Sequence, residues 1–228
     1  MNVGVLLPTF QESAQRAWAS AREASDVGID GVFAYDHLWP MGHRERPSLA
    51  PFPLLAAVAA REARLVVAPL VARVGLVGTD VLVQQYETLL LVAPSRVLAT
   101  FGTGDRLSEE ENVAYGVTPT SADHRRELIA AAVHQLGPSW EVWIGAGAPA
   151  TNSLARSLGA TLNVWDKPAS DVALAALEGV VSWAGNPRDD LEKQLDELRD
   201  AGATWAVFAP TVDLPRLGAW RRGSTHAR

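Results

Sequence analysis

The 228-residue chain contains no cysteine, which removes disulfides, thiol catalysis and cysteine-ligated metals together. Lysine is nearly absent too: Lys167 and Lys193 are the only two, so arginine carries almost all the positive charge. No dense basic run with interleaved aromatics occurs, and a net charge of −6 speaks against nucleic acid as a main partner. Long apolar runs are also missing. A bilayer-spanning helix needs about 20 apolar residues, and the longest candidate is broken by Pro69, Arg73 and Asp80. The N-terminus lacks the basic start and apolar block of a secretory signal and reads as a buried strand. The expectation is a soluble, cytoplasmic protein with neither membrane nor nucleic-acid partners.

With 48% apolar and 20% charged residues, the composition is that of a globular chain able to bury a substantial core. Short β-rich runs alternate with longer amphipathic stretches. Strands are expected at residues 3–7, 31–35, 65–70, 96–101, 141–144, 161–164, 180–183 and 204–208. Helices are expected at 13–27, 51–62, 80–92, 121–136, 150–158, 169–177 and 187–201, the last with Pro187 in its first turn and Asp189 and Asp190 near its positive end. Runs such as Leu65-Val66-Val67-Ala68 and Ala206-Val207-Phe208-Ala209 are apolar without alternation, so both faces are covered, as in a parallel sheet under helices. Eight strand–helix alternations without a linker favour a closed (β/α)8 barrel over an open doubly wound sheet. One domain is expected over residues 1–218, with a loose polar tail at 219–228.

In such a barrel ligands bind where strands end and loops begin. The tetrapeptide Asp36-His37-Leu38-Trp39 closes the second expected strand there, with an acid beside an imidazole that titrates near neutrality. Pro8-Thr9-Phe10, Leu70-Val71, Gly102-Thr103-Gly104-Asp105, Gly145-Ala146-Gly147-Ala148 and Trp165-Asp166 follow other strands. Two glycine-rich loops let backbone N–H groups approach phosphate, and the helix beginning near Pro149 offers its positive end. The set reads as a site for a flat, phosphate-bearing cofactor. Thr151 and Asn152 either bond that phosphate or serve the helix's first turn, and Trp39, Trp143 and Trp165 either line a pocket or pack a core. Glu109-Glu110-Glu111 reads most simply as a solvated acidic cluster. His43, His124 and His134 have no metal-ligand spacing with His37, and no metal is expected.

Taken in order, these segments resemble the bacterial-luciferase-like family of flavin- and deazaflavin-dependent oxidoreductases. The resemblance rests on Val3-Gly4-Val5-Leu6-Leu7-Pro8, on Gly31-Val32-Phe33-Ala34-Tyr35-Asp36-His37-Leu38-Trp39-Pro40, and on residues 96–108 with Glu111-Asn112 and Tyr115-Gly116. It continues through Val142-Trp143-Ile144-Gly145, Asn163-Val164-Trp165 and Gly185-Asn186-Pro187. It implies a (β/α)8 barrel with trimmed insertion loops, a homodimer, and coenzyme F420 or FMN as cofactor with a small-molecule substrate. The Asp-His pair is most similar to the deazaflavin branch, which implies His37, Asp36 and Asp105 as the proton-managing groups. Cofactor contacts would come from Asp36, His37, Leu70, Val71, Gly102, Gly104, Gly145, Ala146, Gly147, Ala148 and Thr151, with a cis peptide at Leu70-Val71. Relatives often carry a second glycine, a basic residue and a serine where this chain has Ala146, Gly147 and Ala148. These motifs leave the coenzyme open, so an FMN-dependent monooxygenase-like enzyme is one alternative; the missing phosphate ligands and the short chain support the other, a non-catalytic barrel relative that is flavin-binding or degenerate.

Overall fold

Successive side chains of a strand point to opposite faces, and nearly all strand residues here are buried, so the sheet is covered on both sides. The computed structural model describes residues 1–40, 42–104 and 108–225. Its strands are β1 (Asn2–Leu6), β2 (Gly31–Ala34), β3 (Val66–Pro69), β4 (Ala72–Arg73), β5 (Ala99–Gly102), β6 (Val142–Gly145), β7 (Thr161–Trp165), β8 (Val181–Gly185) and β9 (Trp205–Phe208). Helices α1 (Gln15–Val27), α2 (Pro51–Ala59), α3 (Thr79–Val92), α4 (Glu109–Ala114), α5 (Ala122–Leu136), α6 (Pro149–Ser157), α7 (Ala169–Ala176), α8 (Leu191–Asp200) and α9 (Leu214–Thr225) alternate with them, except that β3 runs on into β4 and α4 into α5 without an intervening helix or strand.

All strand pairs are parallel, in the order β3-β2-β1-β9-β8-β7-β6-β5-β4. The ends of that order, β3 and β4, are two halves of one run separated by Leu70-Val71, whose peptide bond is cis. The ring closes below the break as well: Val67 N donates to Arg96 O at 2.8 Å, and Leu98 N to Val67 O at 3.4 Å. The fold is a (β/α)8 TIM barrel, not an open sheet.

The barrel interior holds Leu6, Phe33, Ala68, Leu98, Trp143, Ala184, Trp205 and Val207. Phe33, Trp143 and Trp205 meet ring to ring at 5.6–5.8 Å and fill the lower barrel. The larger cluster lies between strands and helices and takes the alternate residues, such as Val32 and Ala34 of β2 and Ala206 and Phe208 of β9. Each buried aromatic contributes roughly 2–3 kcal/mol of transfer free energy.

Three expectations change here. The last predicted helix, 187–201, starts at Leu191, because the buried Gln194 amide donates to Asn186 O at 3.0 Å and accepts from Arg188 N at 2.8 Å. That holds residues 186–190 as a loop across the helix head, with Pro187 outside the first turn. The chain also forms α4 over the expected solvated glutamates, and α9 through much of the expected loose tail. On α9, Arg221 grips Asp30 through Nε–Oδ2 at 2.6 Å and Nη2–Oδ1 at 3.0 Å, and Leu217 is fully buried.

Candidate functional site

β2 delivers Tyr35, Asp36 and His37 to the rim where the strands end. Asp36 Oδ2 accepts from Arg73 N at 2.6 Å, which ties the end of β2 to β4. The Arg73 side chain is 6% exposed and turns back to donate from Nη2 to Asp36 O at 2.6 Å. Its Nη1 donates to Asn112 Oδ1 at 3.1 Å and meets Glu111 Oε2 at 2.6 Å. Glu111, the third of the three glutamates, is thus buried rather than solvated. Its Oε1 accepts from Leu38 N at 2.8 Å and Trp39 N at 3.1 Å, and its Oε2 stands 3.3 Å from His37 Nδ1. One carboxylate from α4 therefore fixes the loop that carries the imidazole. Burying an acid without such partners would cost several kcal/mol; Glu111 has four.

Burial pushes the Asp36 carboxyl up to about 6, against the opposing pull of the Arg73 N–H and guanidinium. Burial likewise pushes the Tyr35 phenol up to about 12. Phe10 stacks on Tyr35 at 5.6 Å and 7°, and Trp165 stands 6.2 Å from Tyr35 at a tilt of 59°.

These groups border a cavity of about 640 Å³. Asp36, His37, Leu70, Val71, Gly102, Gly104, Gly145, Ala146, Gly147, Ala148 and Thr151 all line it, so the structure brings together every expected site residue it describes. Asp105 lies outside the described residues. Of the three tryptophans singled out from the sequence, only Trp165 reaches the cavity; Trp143 is inside the barrel and Trp39 is packed against Tyr115. Asn152 serves the loop, its Oδ1 accepting from Gly147 N at 3.0 Å, while the buried Thr151 faces the cavity. Residues that the sequence reading missed are Arg73, Glu111, Arg125 and Arg126. Glu111 had a usable signal, its place in the quoted Glu111-Asn112 motif. The arginines had none.

The cavity floor suits a flat ring. A Cβ on Gly102 would lie 2.5 Å from Val71 Cγ2, so that side chain would have to shift, and one on Gly145 would lie 3.3 Å from it, a tight contact that needs only a small adjustment. Above Gly147 the space is open. A planar ligand can therefore lie over Leu70 and Val71 between the aromatic wall and the glycine loops.

A family model described as "Luciferase-like monooxygenase" matches residues 1–141. The chain belongs to this luciferase-like family. It is 26% identical over 209 residues to an F420-dependent glucose-6-phosphate dehydrogenase of Microbacterium testaceum, covering 76% of this chain and 60% of that protein. With an F420-dependent hydroxymycolic acid dehydrogenase of Mycobacterium tuberculosis it shares 31% over 119 residues, 47% of this chain and 30% of the other. The luciferase-like chain thus spans 60% or less of these relatives' length. Among solved structures it resembles an F420-dependent secondary alcohol dehydrogenase in complex with an F420-acetone adduct, with a TM-score of 0.79, 13% identity, and 96% and 97% of the two chains covered. The monooxygenase RslO1 of Streptomyces bottropensis follows at 0.75, 13% identity, and 100% and 98% covered. These structural likenesses support the fold.

Proposed function

We propose that this luciferase-like protein is a coenzyme F420-dependent oxidoreductase that moves a hydride to or from a small organic substrate. The observation that carries the reading is His37, held by the buried Glu111–Arg73 pair at the edge of a glycine-floored cavity. The names of its curated relatives support the deazaflavin. When bound, the deazaflavin supplies the hydride acceptor or donor. Leu70, Val71 and the two facing glycines would support its ring, and Tyr35, Phe10 and Trp165 would wall the site from water. A carboxylate only accepts hydrogen bonds, so Glu111 Oε2 keeps a proton on His37 Nδ1. Nε2 is left to take the proton that a substrate oxygen gives up as hydride leaves its carbon, and to return it in reverse. Asp105 is proposed, on the resemblance, as a second proton carrier.

Titration with coenzyme F420 and with FMN, followed by tryptophan fluorescence, tests the reading. Saturable binding of F420 is the expected result. Saturation by FMN alone would move the protein to the flavin branch, and binding of neither would leave a barrel without this chemistry. We also propose a homodimer through α2 and α3, supported by Val81, Leu91 and Val92, which leave α3 with exposed apolar side chains. A monomer in sedimentation velocity would exclude it.

A further inference from the structure

The cavity has a second set of lining residues whose chemistry is unlike that around His37. The loop over residues 145–148 contains neither a cation nor a hydroxyl, so it offers a ligand only backbone. The start of α5 brings Arg125 and Arg126 to line the same cavity. We propose that these two arginines form its anion-binding end and hold the phosphate or carboxylate tail of the ring-bearing ligand. The inference rests on the cofactor reading above and names the part of the site that reading leaves without a cation.

Several independent features support it. Arg125 closes the first turn of α5, the positive end of the helix, which favours acids over guanidinium groups, and Arg126 beside it adds a second like charge. Their neutralisation within the protein is incomplete. Arg126 pairs with Asp123, an outward, largely exposed acid. Arg125 donates to Thr120 O and makes no ion pair among the described residues. Its Nε is buried and has no hydrogen-bond partner among the described residues. A buried donor without a partner is unfavourable, and an anion in the cavity would complete it. Guanidinium, planar and forked, binds phosphate and carboxylate in pairs of parallel hydrogen bonds, which lysine cannot do. Composition does not account for the placement, since the chain as a whole carries a charge of −6. The far wall is compatible: α6 has no acid in its first turn, and Thr151 turns toward the cavity.

The experiment pairs ligands that differ only in their tails. FMN is compared with riboflavin, and coenzyme F420 with its ring-and-ribityl fragment, on the wild-type chain and on an Arg125→Gln/Arg126→Gln double variant whose fold is checked by circular dichroism. The expected result is that the tailed ligand of the preferred ring binds the wild type about tenfold or more tightly than its tail-less partner, as paired charge-assisted bonds allow. In the double variant the two should bind alike, with tail-less affinity unchanged, and Arg125→Lys/Arg126→Lys should restore part of the difference. A tailed-to-tail-less ratio that survives the glutamines would overturn the assignment while leaving the cofactor reading standing. If no ring ligand binds the wild type, the cofactor reading fails, and the anion site is judged by inorganic pyrophosphate. Phosphorus NMR broadening by the wild type that disappears in the double variant supports the site; no broadening by the wild type overturns it.

Discussion

At the residue scale, three consecutive glutamates have different fates, and only Glu111 is turned inward to the His37 loop. Replacing His37 with Ala should lower turnover by about 10²–10⁴-fold, the usual contribution of a positioned acid–base group. Its circular dichroism should stay that of the wild type, and undiminished turnover would remove the imidazole from the mechanism. Glu111→Gln leaves Arg73 buried without its counter-ion, which should destabilise by about 3–5 kcal/mol in urea denaturation. Asp36 gives a prediction with a sign. A carboxyl raised from 3.8 to about 6 binds its proton more tightly folded than unfolded. Its contribution to stability is therefore greatest below the unfolded value and is lost as the pH rises through about 6. At roughly 1.4 kcal/mol per pH unit, the charged form costs about 3 kcal/mol at pH 8. Asp36→Asn keeps an oxygen for Arg73 N and should be more stable than the wild type at pH 8 by about 1–3 kcal/mol, a gap that closes near pH 4. An equal gap at both pH values would contradict this.

At the element scale, the informative feature is the gap in the ladder beside Leu70-Val71. Between the Val67–Val97 bridge and the Ala72–Phe101 pair, β5 would be left with unpaired backbone. Tyr86 of α3 fills it. Its hydroxyl donates to Thr100 O at 2.5 Å and accepts from Thr100 N at 3.0 Å, while Thr100 Oγ1 donates to Pro69 O at 2.5 Å. A helix side chain thus stands in for a strand neighbour, and burial raises the Tyr86 phenol's pKa accordingly. Tyr86→Phe removes a partner from two buried backbone groups and should cost about 2–4 kcal/mol. A change below 1 kcal/mol by the same denaturation assay would mean that the gap is satisfied otherwise. The periodicity of α3 announced a helix but not this task, because a hydroxyl on a buried face reads as one more core aromatic.

At the scale of the whole molecule, β1 pairs with β9 to close the ring, and α9 packs on α1 across that closure. Gly218 makes the approach possible, since a Cβ there would strike the Val27 carbonyl. Arg221 adds the clamp on Asp30, whose Oδ2 also accepts from Val3 N at 2.8 Å. Shortening the chain to residues 1–218 removes this clamp and the Trp220 bond to Asp196 at 3.0 Å. A loss of about 2–4 kcal/mol follows from the lost hydrogen bonds and apolar contact. A melting temperature equal to that of the full chain would mean that residues 219–228 are as dispensable as their polarity suggested.

What the sequence determined by itself is what depends on near neighbours: strand and helix periods, the alternation that makes a parallel barrel, and the strand-end loops that converge on one rim. Asp36-His37, Leu70-Val71 and the glycine pairs were legible for that reason, each standing where a strand turns into a loop. Tertiary structure alone decided their partners. His37 and Glu111 are 74 residues apart, and Asp36 and the Arg73 amide 37. Arg125 and Arg126 line the same cavity as a loop that belongs to a different strand. Hydrogen bonds and charge pairs act over a few ångströms of space, and folding sets those distances independently of spacing along the chain. Local pattern thus located the rim, while the packing of α4 and α5 against it decided which charges stand beside it.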